Sequence, residues 1–392
     1  MLLASYVVLG CSLWVIGLVY LTWTLRTLPR LHQQVGALTP PTVWPTLSII
    51  IPACNEAEHI EAALTSLLAQ DYPALDIIVL NDRSTDDTGH IIDRLAAQDA
   101  RIRPVHISEL PKGWLGKVHA LHLGVQHAKG DWLLFTDADI HFAPGALRRA
   151  LTYALHTQAD LLALLPRVLL SNFWLGVAVR SFGLLFLYTM RANQVHRPDN
   201  AHYIGVGAFN LVRREAFERT PGFEWLRLEP GDDAALGMMI KQAGGSLRFA
   251  LADDDLSVSW YPTVRAMFKG LEKNLFGPGA HYQWWRVMVQ VVLAWALVAA
   301  PPLGLVAGLM TGSGLLLTAA GCAIATHLVV SVCMAENKPL DILYLLLFPP
   351  GLLLVNAMGV YAAYRCLRNR GITWRGTHYS LAELKAGQRI KF

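Results

Sequence analysis

The sequence predicts an α/β domain with a mostly parallel sheet, flanked at both ends by membrane-spanning helices. Three observations predict it. Of 392 residues, 54% are hydrophobic and 16% charged, with a mean hydropathy of +0.36, which is too apolar for an ordinary water-soluble chain. The apolar excess is concentrated, because residues 1–25, 287–335 and 342–364 contain no Asp, Glu, Lys or Arg. Between these runs, short apolar stretches alternate with amphipathic ones, the pattern of a buried parallel sheet with covering helices.

Each uncharged run exceeds the ~20 residues a helix needs to cross hydrocarbon. Residues 1–25 lack a basic leader and are too long for a cleaved signal, so they read as a retained anchor. Residues 46–53 (TLSIIIPA) form the first expected strand, followed by a helix marked by Ile60, Leu64, Leu67 and Leu68. A second strand at 76–80, a helix at 86–98, a third strand at 103–107, a helix near 117–128 and a fourth strand at 132–136 complete the alternation. The segment 172–192 is apolar but carries Arg180 and Arg191, so it is expected to lie in the membrane interface rather than span it. Residues 262–276, opening on Pro262, form a second expected interfacial helix. The water-soluble domain is thus expected over 42–284, a C-terminal region of about three spans over 287–364, and a basic tail over 365–392.

A net charge of +4 is too modest to suggest nucleic acid, and no basic patch is interleaved with aromatics, so no nucleic-acid partner is expected. The five cysteines, Cys11, Cys54, Cys322, Cys333 and Cys366, form no CxxC pair, which argues against a disulfide framework or a zinc site.

In open α/β sheets ligands gather at the carboxyl ends of strands. Here those ends carry Asn55 and Glu56, Asn81 and Asp82, and Asp137 and Asp139. Two carboxylates two residues apart beyond a strand can share magnesium or manganese with a diphosphate. Asp82 can accept the N–H of a pyrimidine base, provided that Ser84 or Thr85 caps the next helix and leaves it free. Asp232 and Asp233 open an amphipathic helix, where the macrodipole favours negative charge. Lys112 and Lys117 belong to the glycine-bearing loop PKGWLGK, which is not a Walker A sequence. Arg265, Lys269 and Lys273 recur at i, i+4 and i+8, a spacing that would align three cations on one helix face.

Taken in order, SIIIPACNE, NDRSTDDT, TDAD, GVGAFNLVRREAF and DDAALG resemble the motifs of family 2 glycosyltransferases of the GT-A fold, over about 42–280. PKGWLGK, YPTVRAMFKGLEKN and ITWRGTHY look like the lipid-modifying branch, with carotenoid-acid, hopanoid-associated and, more distantly, ceramide glucosyltransferases. That resemblance implies a metal-dependent, inverting hexosyltransferase using a nucleotide-diphosphate sugar such as UDP-glucose and a membrane lipid acceptor, attacking through a hydroxyl or carboxyl. Pro52, Asn55, Glu56, Asp82, Lys112, Lys117, Asp137 and Ala138 would bind the nucleotide sugar. Asp139, with Asp137, would hold Mg²⁺ or Mn²⁺; Asp233, supported by Asp232, would be the catalytic base. Gly205, Gly207, Ala208 and Phe209 would line the sugar and acceptor pocket. The (Q/R)xxRW motif of processive members and ceramide glucosyltransferases is replaced by Arg265-Ala266-Met267-Phe268-Lys269. The Arg265, Lys269 and Lys273 face would neutralise the departing diphosphate in its stead. This departure disfavours a processive polysaccharide synthase. An inactive nucleotide-sugar-binding scaffold would have no need of a base at Asp233, and a transporter would carry intramembrane charges.

Arg26 and Arg30 after the first span place the domain in the cytosol of a bacterial cell membrane. Three C-terminal spans would put the tail outside, whereas Arg365, Arg368, Arg370 and Arg375 argue for inside. A re-entrant segment near Pro301–Pro302 or Pro349–Pro350 would reconcile the two.

Overall fold

A computed structural model of the chain describes residues 1–335 and 339–390. Residues 336–338 of the expected C-terminal spans, and 391–392 of the expected tail, lie outside the described residues. The chain divides into two compact units, one of residues 28–169, 190–260 and 370–392, the other of 1–27, 170–189 and 261–369.

The first unit is built on a sheet of eight strands: β1 (Leu47–Ala53), β2 (Leu75–Asp82), β3 (Ile102–Ile107), β4 (Trp132–Phe135), β5 (Ile140–Phe142), β6 (Leu161–Val168), β7 (Asn210–Arg213) and β8 (Leu247–Val258). Their order is β3-β2-β1-β4-β7-β6-β8-β5. The β3-β2-β1-β4 run is parallel, as is β6 with β8, while β7 runs antiparallel between β4 and β6. The expected α/β class with a mostly parallel sheet is therefore observed. Central strands are apolar on both faces, with Leu47, Ile49, Ile50, Leu133 and Leu134 fully buried, because helices such as Ile60–Leu68 and Gly116–His127 cover them. The second expected helix starts at Thr88 rather than residue 86.

The four carboxyl-terminal strands of the sheet were not expected. β5 and β7 are three and four residues long, too short to leave a periodic signal. The tail is not a simple basic extension either. It folds as an antiparallel hairpin, β9 (Gly371–Trp374) with β10 (Thr377–Ser380), followed by the helix Leu381–Gly387. Arg375 and Gly376 at the turn have φ of 48° and 79°, as a two-residue type I′ turn requires. Ser380 and Glu383 form a reciprocal capping box at the helix start.

The second unit is helical. Helices Leu2–Thr27, Trp284–Thr311 and Gly314–Met334 pack around Val7, Cys11, Trp14, Ala300 and Ala323. Small residues set their approach: a Cβ at Gly10 would strike Ala300, and one at Gly304 would come within 2.5 Å of Val7. Their outward faces expose Leu9, Leu13, Ile16, Val292 and Leu309. These three helices and Phe173–Gln194 are long and apolar enough to cross a membrane. Helices Pro339–Leu346 and Phe348–Arg368 meet at a 60° bend beside Pro349 and Pro350. Arg180 pairs with Asp341 at 2.7 Å, which partners the charge on the apolar helix Phe173–Thr189. The expected helix 262–276 is broken into Val264–Gly270 and Glu272–Leu275. Arg265 and Lys269 therefore share one helix, and Lys273 lies on the next, which begins one residue beyond it.

Candidate active site

The carboxyl ends of β1, β2 and β4 converge as the parallel register demands, since Ala53 pairs with Asn81 and Ile50 with Phe135. Asp137 and Asp139 follow β4, Glu56 follows β1 and Asp82 closes β2. The helix Asp232–Gln242 brings Asp232 and Asp233 to the same place.

Lys117 organises this end. Its Nζ lies 2.7 Å from Asp137 Oδ1 and 3.4 Å from Asp232 Oδ2. Burial alone would push the lysine down, but Asp137, Asp232 and Asp233 outweigh it and hold its pKa well above the usual range. Expected near the donor nucleotide, Lys117 instead joins the two acidic motifs. Lys112 is exposed in the preceding loop.

The Asp233 carboxylate is fixed by backbone. Gly207 N–H donates to its Oδ2 at 3.0 Å and Ala234 N–H to its Oδ1 at 2.8 Å. The segment 204–208 is held in turn by Asp137 N–H donating to Gly207 C=O at 3.1 Å and Thr136 Oγ1 to Ala208 C=O at 2.7 Å. Glycine is required where it crosses the helix: a Cβ at Gly205 would overlap the Asp233 carbonyl, and one at Gly207 would come 2.7 Å from Asp137 Oδ2. The small cleft beside it is lined by Lys117, Asp137, Gly207, Asp232, Asp233 and Phe223, among others. Phe209, expected in the acceptor pocket, is a core residue with no exposed surface, packed near Phe142. Ala208 is also buried.

At the ends of β1 and β2 polar groups tie the two loops together. Asn55 N–H donates to Ser84 Oγ at 3.0 Å, and Thr85 N–H to Asn55 Oδ1 at 2.8 Å. Thr88 and Asp86 receive the Glu56 and Ala57 N–H groups. Ser84 and Thr85 therefore cap no helix. Asp82 is not free: Arg83 grips it through two nitrogens at 2.7 and 3.0 Å, and it is buried. Gly116 packs against this pair, leaving no room for a Cβ.

Asp139 titrates abnormally, its pKa raised to about 7 by burial, then by Asp137 and Glu56. Among the described residues no three His, Cys, Asp or Glu side chains are grouped to hold a metal. Two crowded hard-oxygen carboxylates nevertheless fit a cation that completes its shell with diphosphate oxygens and water.

Residues 48–220 match the family model described as Glycosyl transferase family 2. This stretch of the chain is similar to family 2 glycosyltransferases. The chain is 30% identical over 179 residues to the 4,4'-diaponeurosporenoate glycosyltransferase of Staphylococcus aureus (strain bovine RF122 / ET3-1), which is 45% of this chain and 46% of that one. The protein of the same description from strain MRSA252 is 30% identical over 178 residues, again 45% and 46%. The match thus spans about half the length of these curated relatives. In structure the chain is similar to the mannosyltransferase PcManGT of Pyrobaculum calidifontis, solved in complex with GDP-Man and Mn²⁺, with a TM-score of 0.57 and 21% identity over 94% of this chain and 99% of that one. That likeness supports the GT-A fold for the glycosyltransferase domain.

Several residues of the domain escaped sequence reasoning. Arg375, Thr377 and Tyr379 of the C-terminal hairpin meet Glu56, Arg83 and Gly116. Glu229, fully buried, accepts N–H groups from Gly231, Arg389 and Ile390. The Arg-Gly pair within ITWRGTHY, flanked by β-formers, was the available hairpin signal.

Proposed function

We propose that the chain transfers a hexose from a nucleotide-diphosphate sugar to a membrane lipid with inversion at the anomeric carbon. The observation that carries this is the Asp233 carboxylate, oriented by the Gly207 and Ala234 N–H groups beside the Lys117–Asp137 pair. Asp233 takes the proton of an acceptor hydroxyl as its oxygen attacks the anomeric carbon, and the bond to the nucleoside diphosphate breaks on the opposite face. Lys117 holds Asp137 and Asp232 in place. Asp137 and Asp139 would hold Mg²⁺ or Mn²⁺, which supplies Lewis-acid compensation for the leaving diphosphate. The S. aureus relatives' names support an apolar acceptor.

Arg26 and Arg30 after the first apolar helix and the bacterial source of the relatives support a cytosolic domain in a bacterial cell membrane. Strands before and after Phe173–Thr189 share one sheet, so that helix must return to the side it left and lies in the interface. Residues 370–390 belong to the same folded unit as 28–169, so 261–369 must cross an even number of times. Trp284–Thr311 and Gly314–Met334 then form the two crossings, and the bent pair at Leu347 re-enters. Ser313→Cys, between the two crossings, is expected to react with an impermeant thiol reagent from outside intact cells; labelling only after lysis overturns this topology.

The deciding experiment incubates the purified protein with radiolabelled nucleotide sugars and membrane lipid extract and identifies the labelled product. No labelled lipid with any donor would refute the reading, and full activity in EDTA would remove the metal from it.

A further inference from the structure

The cations expected to meet the diphosphate, Arg265, Lys269 and Lys273, all belong to the helical unit. Within the catalytic unit, Arg83 is committed to Asp82 and Lys117 to Asp137 and Asp232. Arg375 is differently placed. It is delivered by the β9–β10 turn to Glu56, at the end of β1, and uses its Nη2 for that contact. Its side chain remains 43% exposed while Glu56 is 19% exposed, and the contact with Glu56 uses one nitrogen of the guanidinium fork.

The hairpin is anchored firmly enough to position that fork. Gly116 N–H donates to the buried Tyr379 hydroxyl at 3.3 Å, and Arg83 Nη1 donates to Thr377 Oγ1 at 3.2 Å. Beyond it, Glu229 fixes the Arg389 and Ile390 N–H groups at 2.6 and 3.1 Å. Arg375 itself adopts φ of 48°, a left-handed conformation that is unfavourable outside glycine and tends to persist where a side chain must be aimed. Glu56 and Asp137 follow the same ends of the neighbouring parallel strands β1 and β4, so Arg375, held by Glu56, stands at the strand ends to which a diphosphate would come.

We propose that Arg375 of the C-terminal hairpin is a phosphate-binding residue of the donor site, exchanging Glu56 for the diphosphate of the nucleotide sugar. The guanidinium fork suits bidentate phosphate recognition, and Glu56 keeps it oriented beforehand. The inference rests on the nucleotide-sugar reading, and its test separates the two.

The purified full-length protein is titrated calorimetrically with UDP and GDP, then with UMP and GMP, in the presence of Mg²⁺. If the unaltered protein binds no nucleoside diphosphate, the donor reading fails and this proposal with it. If it binds one, Arg375→Gln is expected to weaken that diphosphate about tenfold or more while changing the monophosphate less than about threefold. Arg375→Lys should recover part of the loss, and Arg370→Gln, which removes the same charge nearby, should cause none. Unchanged diphosphate affinity in Arg375→Gln overturns the proposal. Equal weakening of di- and monophosphate also overturns it, because that is the mark of a structural latch.

Discussion

At the ends of β1 and β2 each carboxylate has its own arginine: Asp82 holds Arg83, and Glu56 holds Arg375. At the end of β4 one lysine serves two carboxylates directly and a third electrostatically, and Asp233 is oriented by backbone N–H groups instead. The first arrangement is locally neutral and suits recognition of a ligand by groups already paired. The second leaves excess negative charge, which suits holding a cation and accepting a proton. The two sets of strand ends thus differ in how their charges are balanced.

The comparison breaks most sharply at Asp233. Asp233→Asn should lower transfer to a hydroxyl acceptor by about 10²–10⁴-fold while nucleoside diphosphate affinity stays within about twofold. Turnover like the unaltered protein's would remove Asp233 as base and redirect the reading to an acid acceptor, which arrives already deprotonated.

Lys117→Met should be the next largest change. It strands the buried Asp232 and the partly exposed Asp137. Breaking a fully buried pair costs about 3–5 kcal/mol; solvent around Asp137 reduces the expectation to roughly 2–3 kcal/mol. Thermal unfolding at pH 7 measures it, and the deficit should shrink as pH falls and the carboxylates protonate. A melting temperature within a degree of the parent would contradict the shared-lysine arrangement.

A smaller effect appears with pH. Asp139, raised to about 7, is mostly protonated below that value and must lose its proton to take a cation. Divalent metal affinity in the absence of nucleotide should therefore rise with pH up to about 7, by up to about tenfold per unit, and flatten above. By the same sign, the metal-free protein gains stability from this group as pH falls from about 7 towards its unfolded value near 4. A pH-independent metal affinity between 5 and 8 would count against Asp139 as ligand.

The mildest expectation concerns Glu229, which fixes the tail to the loop before Asp232. Glu229→Gln replaces one accepting oxygen by a donor facing N–H groups. A loss of about 1 kcal/mol in unfolding free energy is expected, with nucleotide affinity little changed; a stability equal to the parent's would show that the tail is not held there.

Much of this protein is legible without coordinates. The four parallel strands, their helices and the acidic residues at strand ends follow from apolar periodicity and turn chemistry, which act within a few residues of the chain. Asp82, Asp137, Asp139 and Asp233 could be named for that reason. What lies far apart in sequence could not. Lys117 meets Asp232 across 115 positions, β7 enters the sheet antiparallel between β4 and β6, and Arg375 reaches Glu56 across 319. The return of residues 370–390 to the unit that holds the sheet belongs to the same class. The sequence by itself determined the apolar runs long enough to cross a membrane, the α/β class and the acidic inventory, because local patterning encodes them. Only the tertiary structure decided which cation balances which carboxylate, because charge pairing is settled by packing between distant segments.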